Sequence, residues 1–149
     1  MSSQATPAAS TRVETAFGTF GVAADQVITF PAGLPGFEEC RRFVVLSSRE
    51  LDPFQCLQSV EGPSASFLAI DPRRVQPDYR CALSDADRAR LGDPDDGALV
   101  WLAVVTILDE RTMVNLRAPV VVNSARMLGY QLMPSNSLYP LRYELTPSA

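Results

Sequence analysis

Short stretches rich in β-branched and aromatic residues alternate along the chain with clusters of Gly, Pro and Asp. This pattern is typical of β-strands joined by turns. In the first half of the chain it predicts strands at residues 15–20, 26–30, 42–47, 54–60 and 66–70. In the second half it predicts a long buried strand at residues 98–108, then strands within 113–123 and 129–133.

One helix is predicted between Ser84 and Gly92. Ser84 followed three residues later by Asp87 resembles a capping box with Asp in place of Glu, and glycine is a common helix stop. Many short strands, close turns and one short helix predict a mainly β fold. We expect a small antiparallel, partly open β-barrel-like domain without internal repeats.

Two strands contain further local signals. The apolar and polar residues of 54–60 alternate imperfectly, which predicts that one face of this strand is half exposed. Pro119 cannot donate a hydrogen bond to a sheet, so we expect the strand to break at Ala118. Asn115 and Asn123 bracket this break, and we expect both side chains to hold irregular backbone, with a contact role as the alternative.

The length of 149 residues, 46% of them hydrophobic, suits a single domain. The first dozen residues are small and polar and lack the apolar core of a signal peptide, so we predict a disordered tail over residues 1–12. The domain is predicted at residues 13–145, with a C-terminal tail at 146–149. The apolar run at residues 98–108 is shorter than the roughly 20 residues of a transmembrane helix. We therefore expect a cytoplasmic protein that does not contact a membrane.

The composition excludes most common catalytic designs. The chain has no histidine, and none of its thirteen basic residues is a lysine. Triads with histidine, histidine metal sites, Schiff bases and Walker-type phosphate loops are therefore excluded. Cys40, Cys56 and Cys81 form no CxxC pair and are predicted to be reduced thiols. We expect no metal and no cofactor; a carboxylate-dependent hydrolase and a small-molecule-binding β-barrel stay open as alternatives.

The formal net charge of −4 disfavours direct binding to nucleic acid and suits a basic protein partner. Acidic residues are densest within residues 83–97. Asp93, Asp95 and Asp96 are candidates for steering the approach of a basic partner, although a solvated helix and turn is the simpler interpretation. Calcium binding is not expected there, because the spacing is not that of an EF-hand.

Three motifs in fixed order resemble a known family: FPAGLPGFE at residues 30–38, PFQCLQSV at 53–60 and NLRAPVVVN at 115–123. With their flanking residues, from about Phe17 to Arg142, they resemble the flagellar assembly factor FliW. The resemblance implies a non-enzymatic, cytoplasmic, β-barrel-like protein, and we expect it to be monomeric when free. It also implies two protein partners, flagellin and CsrA, a basic RNA-binding dimer that represses flagellin translation.

In that family, export of flagellin frees FliW, which then binds CsrA and relieves the repression. The resemblance favours an allosteric, non-competitive action on CsrA. The sequence does not indicate which surface binds which partner, nor whether the two partners exclude each other directly.

The candidate partner-binding residues lie in the three motifs and near the C-terminus. They are Leu34, Phe37, Glu38, Phe54, Gln58, Asn115, Arg117, Tyr139 and Arg142. Phe30 is expected to face the core. Leu34 and Phe37 either brace the barrel or face a partner, and bracing is the preferred interpretation; for Tyr139, core packing is an equal alternative.

Overall fold

The computed structural model describes residues 11–15, 18–60, 64–134 and 137–145. The predicted tail at residues 146–149 lies outside these ranges, as do the first ten residues of the predicted N-terminal tail. The elements in chain order are β1 (Thr11–Thr15), β2 (Gly18–Val22), β3 (Ile28–Thr29), β4 (Arg42–Leu46), β5 (Phe54–Ser59), β6 (Ser66–Ile70), α1 (Pro72–Val75), α2 (Asp85–Arg90), β7 (Leu99–Leu108), β8 (Arg111–Val114), β9 (Val120–Asn123), β10 (Leu128–Gln131) and β11 (Tyr143–Leu145).

Seven strands, β3 to β7 with β9 and β10, form a ring, and β8 and β11 are added outside it. The ring runs β7-β6-β5-β4-β3-β10-β9, and β9 pairs back onto β7. β7 is long enough for two neighbours on one edge, since residues 99–102 pair with β9 and residues 105–108 pair with β8. β8 and β11 therefore extend the sheet beyond the mouth of the ring.

The predicted mainly β, partly open barrel-like fold is confirmed. One pairing in the ring is parallel rather than antiparallel: β3 and β10 meet only at Thr29 and Leu128. This single residue pair is the weakest seam of the ring, because parallel pairing is slightly less stable per residue and few hydrogen bonds cross it.

The interior of the ring is filled with apolar side chains. Phe30 and Phe43 are fully buried and pack edge to face, with ring centroids 5.1 Å apart. Leu57 and Leu102 are also fully buried in this cluster. The expectation that Phe30 faces the core is confirmed, and the filled interior counts against a small-molecule cavity inside the barrel.

The outer face of the sheet is covered as well. The β1–β2 hairpin supplies Val22, which packs in one cluster with Val44, Leu46 and Cys56. β5 is consequently buried from Cys56 through Ser59. The prediction of a half-exposed face on this strand is wrong, because the covering hairpin comes from a distant part of the chain.

The helix predicted from its cap is confirmed as α2. The Ser84 hydroxyl oxygen accepts a hydrogen bond from the Asp87 N–H at 3.0 Å, and Gly92 after the helix has a φ of 80°. The sequence did not predict α1, a single turn. Its signal is an Asp-Pro pair: the Asp71 carboxylate accepts from the Arg73 N–H at 2.9 Å, and Pro72 occupies the first turn.

Several predicted strand boundaries are corrected. Residues 15–20 do not form one strand, because the chain reverses between Thr15 and Gly18, which pair with each other. A 3₁₀ turn at Ala24–Gln26 shortens the next strand to Ile28–Thr29. Near the C-terminus, β11 pairs with β8, although the strand pattern of this segment is weak.

The predicted break before Pro119 is confirmed, since β8 ends at Val114 and β9 begins at Val120. The Asn115 side-chain oxygen accepts hydrogen bonds from the backbone N–H groups of Arg117 at 3.1 Å and Ala118 at 3.0 Å. Asn123 acts in the same way on the Ala125 N–H, at 3.0 Å. Both asparagines thus hold irregular backbone, as expected.

Candidate functional site

A groove of about 540 Å³ lies at the mouth of the barrel. Its first wall is a continuation of the barrel's inner face along β7. Val104 packs against the barrel core, and Thr106 and Leu108 continue the same face past the ring, because side chains two residues apart in a strand share a face. Met113 on β8 lies opposite Thr106 and belongs to the same wall.

The floor and the opposite wall come from other parts of the chain. Leu34 and Phe67 reach the groove from the barrel core. Met133 and Pro134, just after β10, line the groove together with Leu141. The groove therefore joins segments that are far apart in sequence, and its lining is mainly apolar.

The loop with the sequence FPAGLPGFEE shapes one end of the groove. Leu34 and Phe37 bond to each other's backbone, with N···O distances of 2.7 and 3.4 Å. Gly33 has a φ of 64°, and a Cβ there would lie 2.7 Å from the Glu38 Cα, so only glycine fits. The turn directs the Leu34 side chain inward, so that Leu34 is only 3% exposed. Phe37, on the other side of the turn, is 41% exposed.

Phe37 adjoins the groove without lining it. Its ring meets the edge of Phe67 at a centroid distance of 5.1 Å, and Phe67 is part of the groove. The bracing interpretation holds for Leu34, which is buried and offers almost no surface to a partner. Phe37 does both: it contacts Phe67 and keeps much of its ring in solvent.

Glu38 stabilises the same loop. Its carboxylate accepts a hydrogen bond from the Gly36 N–H at 3.0 Å. The backbone N–H groups of Gly36 and Glu38 hold the pKa of this carboxyl below its ordinary value. This hydrogen bond therefore stabilises the loop at pH values above the ordinary pKa of a glutamate. The stabilisation is lost as the pH falls through the lowered pKa of Glu38.

Polar groups occupy one side of the groove. The Arg117 Nε donates to the Tyr139 carbonyl at 2.9 Å, and the Gln131 amide donates to the Ala118 carbonyl at 3.0 Å. Arg142 lines the groove with an exposed side chain. The lining contains no Asp or Glu, which removes the carboxylate pair that a hydrolase of that kind would need in this groove.

Comparison with known proteins identifies the family. The sequence model described as FliW protein matches residues 11–145. The chain belongs to the FliW family. It is 37% identical over 137 residues to the flagellar assembly factor FliW of Desulfitobacterium hafniense, covering 91% of this chain and 90% of that protein. The FliW of Natranaerobius thermophilus is 36% identical over 132 residues, 87% of each chain.

A solved structure has the same fold. The crystal structure of a flagellar assembly factor FliW aligns with a TM-score of 0.82 at 30% identity, covering 93% of this chain and 99% of that one. The resemblance seen in the three sequence motifs is thereby confirmed. The family match covers every strand from β1 to β11.

Four of the nine predicted contact residues of this FliW family member line the groove, and two more adjoin it. The four are Leu34, Asn115, Arg117 and Arg142. Phe37 and Glu38 belong to the loop at its end, whereas the other three, Phe54, Gln58 and Tyr139, lie outside the lining.

The three residues outside the groove serve the fold. Gln58 is 1% exposed; its amide donates to the Ser59 carbonyl at 2.9 Å and accepts from the Ser66 hydroxyl. The prediction that Gln58 contacts a partner is corrected, because its side chain is buried. Phe54 is half-buried and packs against the cluster around Ile70 on the outer face.

Tyr139 packs on the outer face with Tyr79, at a ring centroid distance of 4.5 Å. Its hydroxyl oxygen accepts from the Arg80 N–H at 2.9 Å. The Tyr79 hydroxyl donates to the Leu116 carbonyl at 2.8 Å, and burial raises the pKa of Tyr79. The Tyr139 side chain packs against this cluster, in line with the core-packing alternative. Its backbone carbonyl accepts the hydrogen bond from Arg117.

The acidic segment, residues 83–97, lies on the other side of β10 from the groove. Leu91, just after α2, packs against Val121 and Leu132 on the outer face of the sheet. Asp93, Asp95 and Asp96 follow it and are exposed. Asp96 forms an ion pair with Arg88 at 2.8 Å.

The three cysteines form no disulfide. Cys40 and Cys56 are buried, and burial raises the pKa of the Cys56 and Cys81 thiols, so both are thiols rather than thiolates at neutral pH. Within the described ranges, no group of three or more Cys, Asp or Glu residues is arranged to hold a metal ion. No helix in that part of the chain is long and apolar enough to span a membrane.

The sequence did not reveal the exposed apolar rim of the groove. Leu108, Met133 and Leu141 are 46%, 66% and 51% exposed. In the sequence each one resembles an ordinary core residue of a strand or strand end. Leu108 is exposed where β7 continues past the ring, and Met133 and Leu141 lie in the segments after β10 and before β11.

Proposed function

We propose that this FliW family member is a non-enzymatic flagellar assembly factor that binds flagellin and, when free, binds and antagonises CsrA. The observation that supports this most directly is the apolar groove with its exposed rim. Contiguous exposed apolar surface bordered by polar groups is characteristic of protein-binding sites. The relatives described above bear the name flagellar assembly factor FliW.

In this scheme the protein exchanges partners in the cytoplasm. Export of flagellin leaves it free to bind CsrA, which relieves the repression of flagellin synthesis. The net charge of −4 supports attraction to a basic repressor and disfavours competition with it for RNA. The absence of His and Lys from the sequence supports a binding role over a catalytic one.

Calorimetry tests this function directly. Purified monomeric flagellin and purified CsrA from the same organism are titrated separately into the full-length protein. We expect heat of binding with each, and weaker binding of CsrA once the protein is saturated with flagellin. No heat with either partner, at concentrations well above micromolar, would show that the proposal is wrong.

Removing charge from the acidic segment should slow the encounter with CsrA. The double substitution Asp93→Asn and Asp95→Asn spares the ion pair of Asp96, and asparagine tolerates the φ of 51° found at Asp93. We expect association at low ionic strength to slow by about threefold to tenfold, with a weaker dependence on salt. Stopped-flow measurements over a range of salt concentrations determine the association rate constant and its dependence on salt.

A matched control removes the same charge elsewhere. Asp109→Asn with Glu110→Gln alters the β7–β8 turn, where both residues are exposed and have φ values of 49° and 65°. This variant should associate with CsrA at nearly the normal rate. Equal slowing by both variants would indicate a general charge effect, and no slowing by the first would assign Asp93 and Asp95 to solvation alone.

A further inference from the structure

We propose that the groove accepts an acidic, apolar polypeptide segment, so that of the two partners it binds flagellin and not the basic CsrA. This inference rests on the proposed function and adds the chemistry of the segment that the groove recognises. It follows from the charge of the lining residues, the hydrogen bonds that fix Arg117, the exposed side chain of Arg142, and the position of the acidic segment.

The groove is positively charged in a protein that is negative as a whole. Two of its fifteen lining residues are arginines and none is acidic, whereas the chain has a formal net charge of −4. The local sign is therefore opposite to that of the protein. A groove of this charge attracts carboxylates and repels a basic partner, which selects between the two candidates.

Arg117 is held in place before any ligand arrives. Its Nε donates to the Tyr139 carbonyl at 2.9 Å, and its backbone N–H donates to the Asn115 side chain at 3.1 Å. A guanidinium has five N–H donors, so the terminal nitrogens keep donors to offer. A side chain already fixed by such bonds loses little conformational freedom on binding.

Arg142 supplies the second charge. Its side chain is exposed, and within the described ranges neither Arg142 nor Arg117 forms an ion pair, unlike Arg88, Arg90 and Arg111. Arginines that remain without a carboxylate in an acidic protein are available to one from a partner. Guanidinium groups suit this role because they bind carboxylates with two parallel hydrogen bonds.

The apolar part of the groove sets the second requirement. Leu108, Met133 and Leu141 are exposed around a floor of Leu34 and Phe67. Apolar side chains of a ligand would displace water from this surface, while its carboxylates meet the arginines. The ligand therefore needs both kinds of side chain in one short segment.

The groove and the acidic segment lie on opposite faces of the same strand end. Gln131 and Met133 line the groove, whereas Leu132 between them packs against Leu91 beside the acidic residues. A basic partner attracted to the acidic segment thus approaches the face opposite to the groove. Two partners of opposite charge preference would have separate primary surfaces on one small domain.

Charge reversal at Arg142 tests the inference. Arg142→Glu removes no hydrogen bond within the described ranges and leaves the anchor of Arg117 intact. Arg74→Glu is the matched control, because Arg74 is an exposed arginine on α1 outside the groove. Calorimetry with flagellin and with CsrA is run for both variants and the unmodified protein, and thermal unfolding checks that each variant is folded.

We expect Arg142→Glu to weaken flagellin binding by about tenfold or more and to leave CsrA binding within about twofold. Arg74→Glu should leave flagellin binding nearly unchanged, and Arg142→Lys should restore much of the affinity because it keeps the charge. Flagellin binding should also weaken with added salt, less steeply in Arg142→Glu.

Distinct outcomes overturn distinct claims. Normal flagellin binding by Arg142→Glu, or a larger loss for CsrA than for flagellin, would refute the assignment of the groove. A dimer of the unmodified protein that Arg142→Glu dissociates, measured by light scattering, would show that a second copy of the chain occupies the groove. If the unmodified protein binds neither partner, the proposed function itself is wrong and this inference falls with it.

Discussion

Replacement of Phe30 by alanine is expected to lower the free energy of unfolding by about 3–5 kcal/mol. Phe30 is fully buried, packs edge to face on Phe43, and lies directly over Gly129 on β10. A Cβ built on Gly129 would approach the Phe30 ring to 2.5 Å, so the ring fills the space against that strand completely. The cavity would open beside the parallel β3–β10 seam.

A loss of this size is a large part of the roughly 5–15 kcal/mol that stabilises an ordinary domain. Urea unfolding followed by the fluorescence of Trp101 measures it, since this is the chain's single tryptophan. If Phe30→Ala is too unstable to purify, Phe30→Leu should give a smaller loss at the same site.

Phe37→Ala is the matched control, seven residues away in the same loop. Its ring is 41% exposed and has the edge contact with Phe67, so we expect a loss of only about 1 kcal/mol. Similar losses for the two phenylalanines would contradict the assignment of one to the core and the other to the edge of the groove.

Aspartate at both Met133 and Leu141 should weaken flagellin binding by about 30-fold to 1000-fold. Each side chain is more than half exposed and lines the groove, so the substitutions disturb the binding surface far more than the fold. A loss of about 1–2 kcal/mol at each of the two positions gives this factor, because a minority of interface side chains contribute that much each and about 1.4 kcal/mol corresponds to a factor of ten. Calorimetry with monomeric flagellin measures the change.

The control variant carries the same two charges on other exposed aliphatic residues. Ile107→Asp and Val100→Asp replace side chains that are 61% and 42% exposed and do not line the groove. This variant should bind flagellin with nearly normal affinity. Comparable losses in the two double variants would mean that flagellin responds to net charge or binds another surface.

Local signals in the sequence were sufficient for several elements. The strand at residues 66–70 matches β6, and Ser84 marks the start of α2. The break before Pro119 also follows from local chemistry, because proline lacks the N–H that a sheet requires. These predictions succeeded because each depends on residues within a few positions of one another.

Burial could not be predicted in the same way. Alternation along β5 gives two faces, but it does not reveal that the β1–β2 hairpin covers the outer one. Gln58 therefore resembled a surface residue in the sequence, although it is buried and its amide is hydrogen-bonded to Ser59 and Ser66. Whether a strand face meets solvent depends on segments that are distant in the chain.

The sequence by itself determined the family, the mainly β fold, the lack of histidine and lysine, and the negative charge of the protein. It also determined that FPAGLPGFEE forms a tight loop, because its glycines allow backbone conformations that other residues avoid. Only the tertiary structure decided that Leu34 points inward and Phe37 outward, and that Arg117 and Arg142 share a groove with Met133 and Leu141. The groove exists because β7 extends past the ring of strands, a property of the assembled sheet that no single segment specifies.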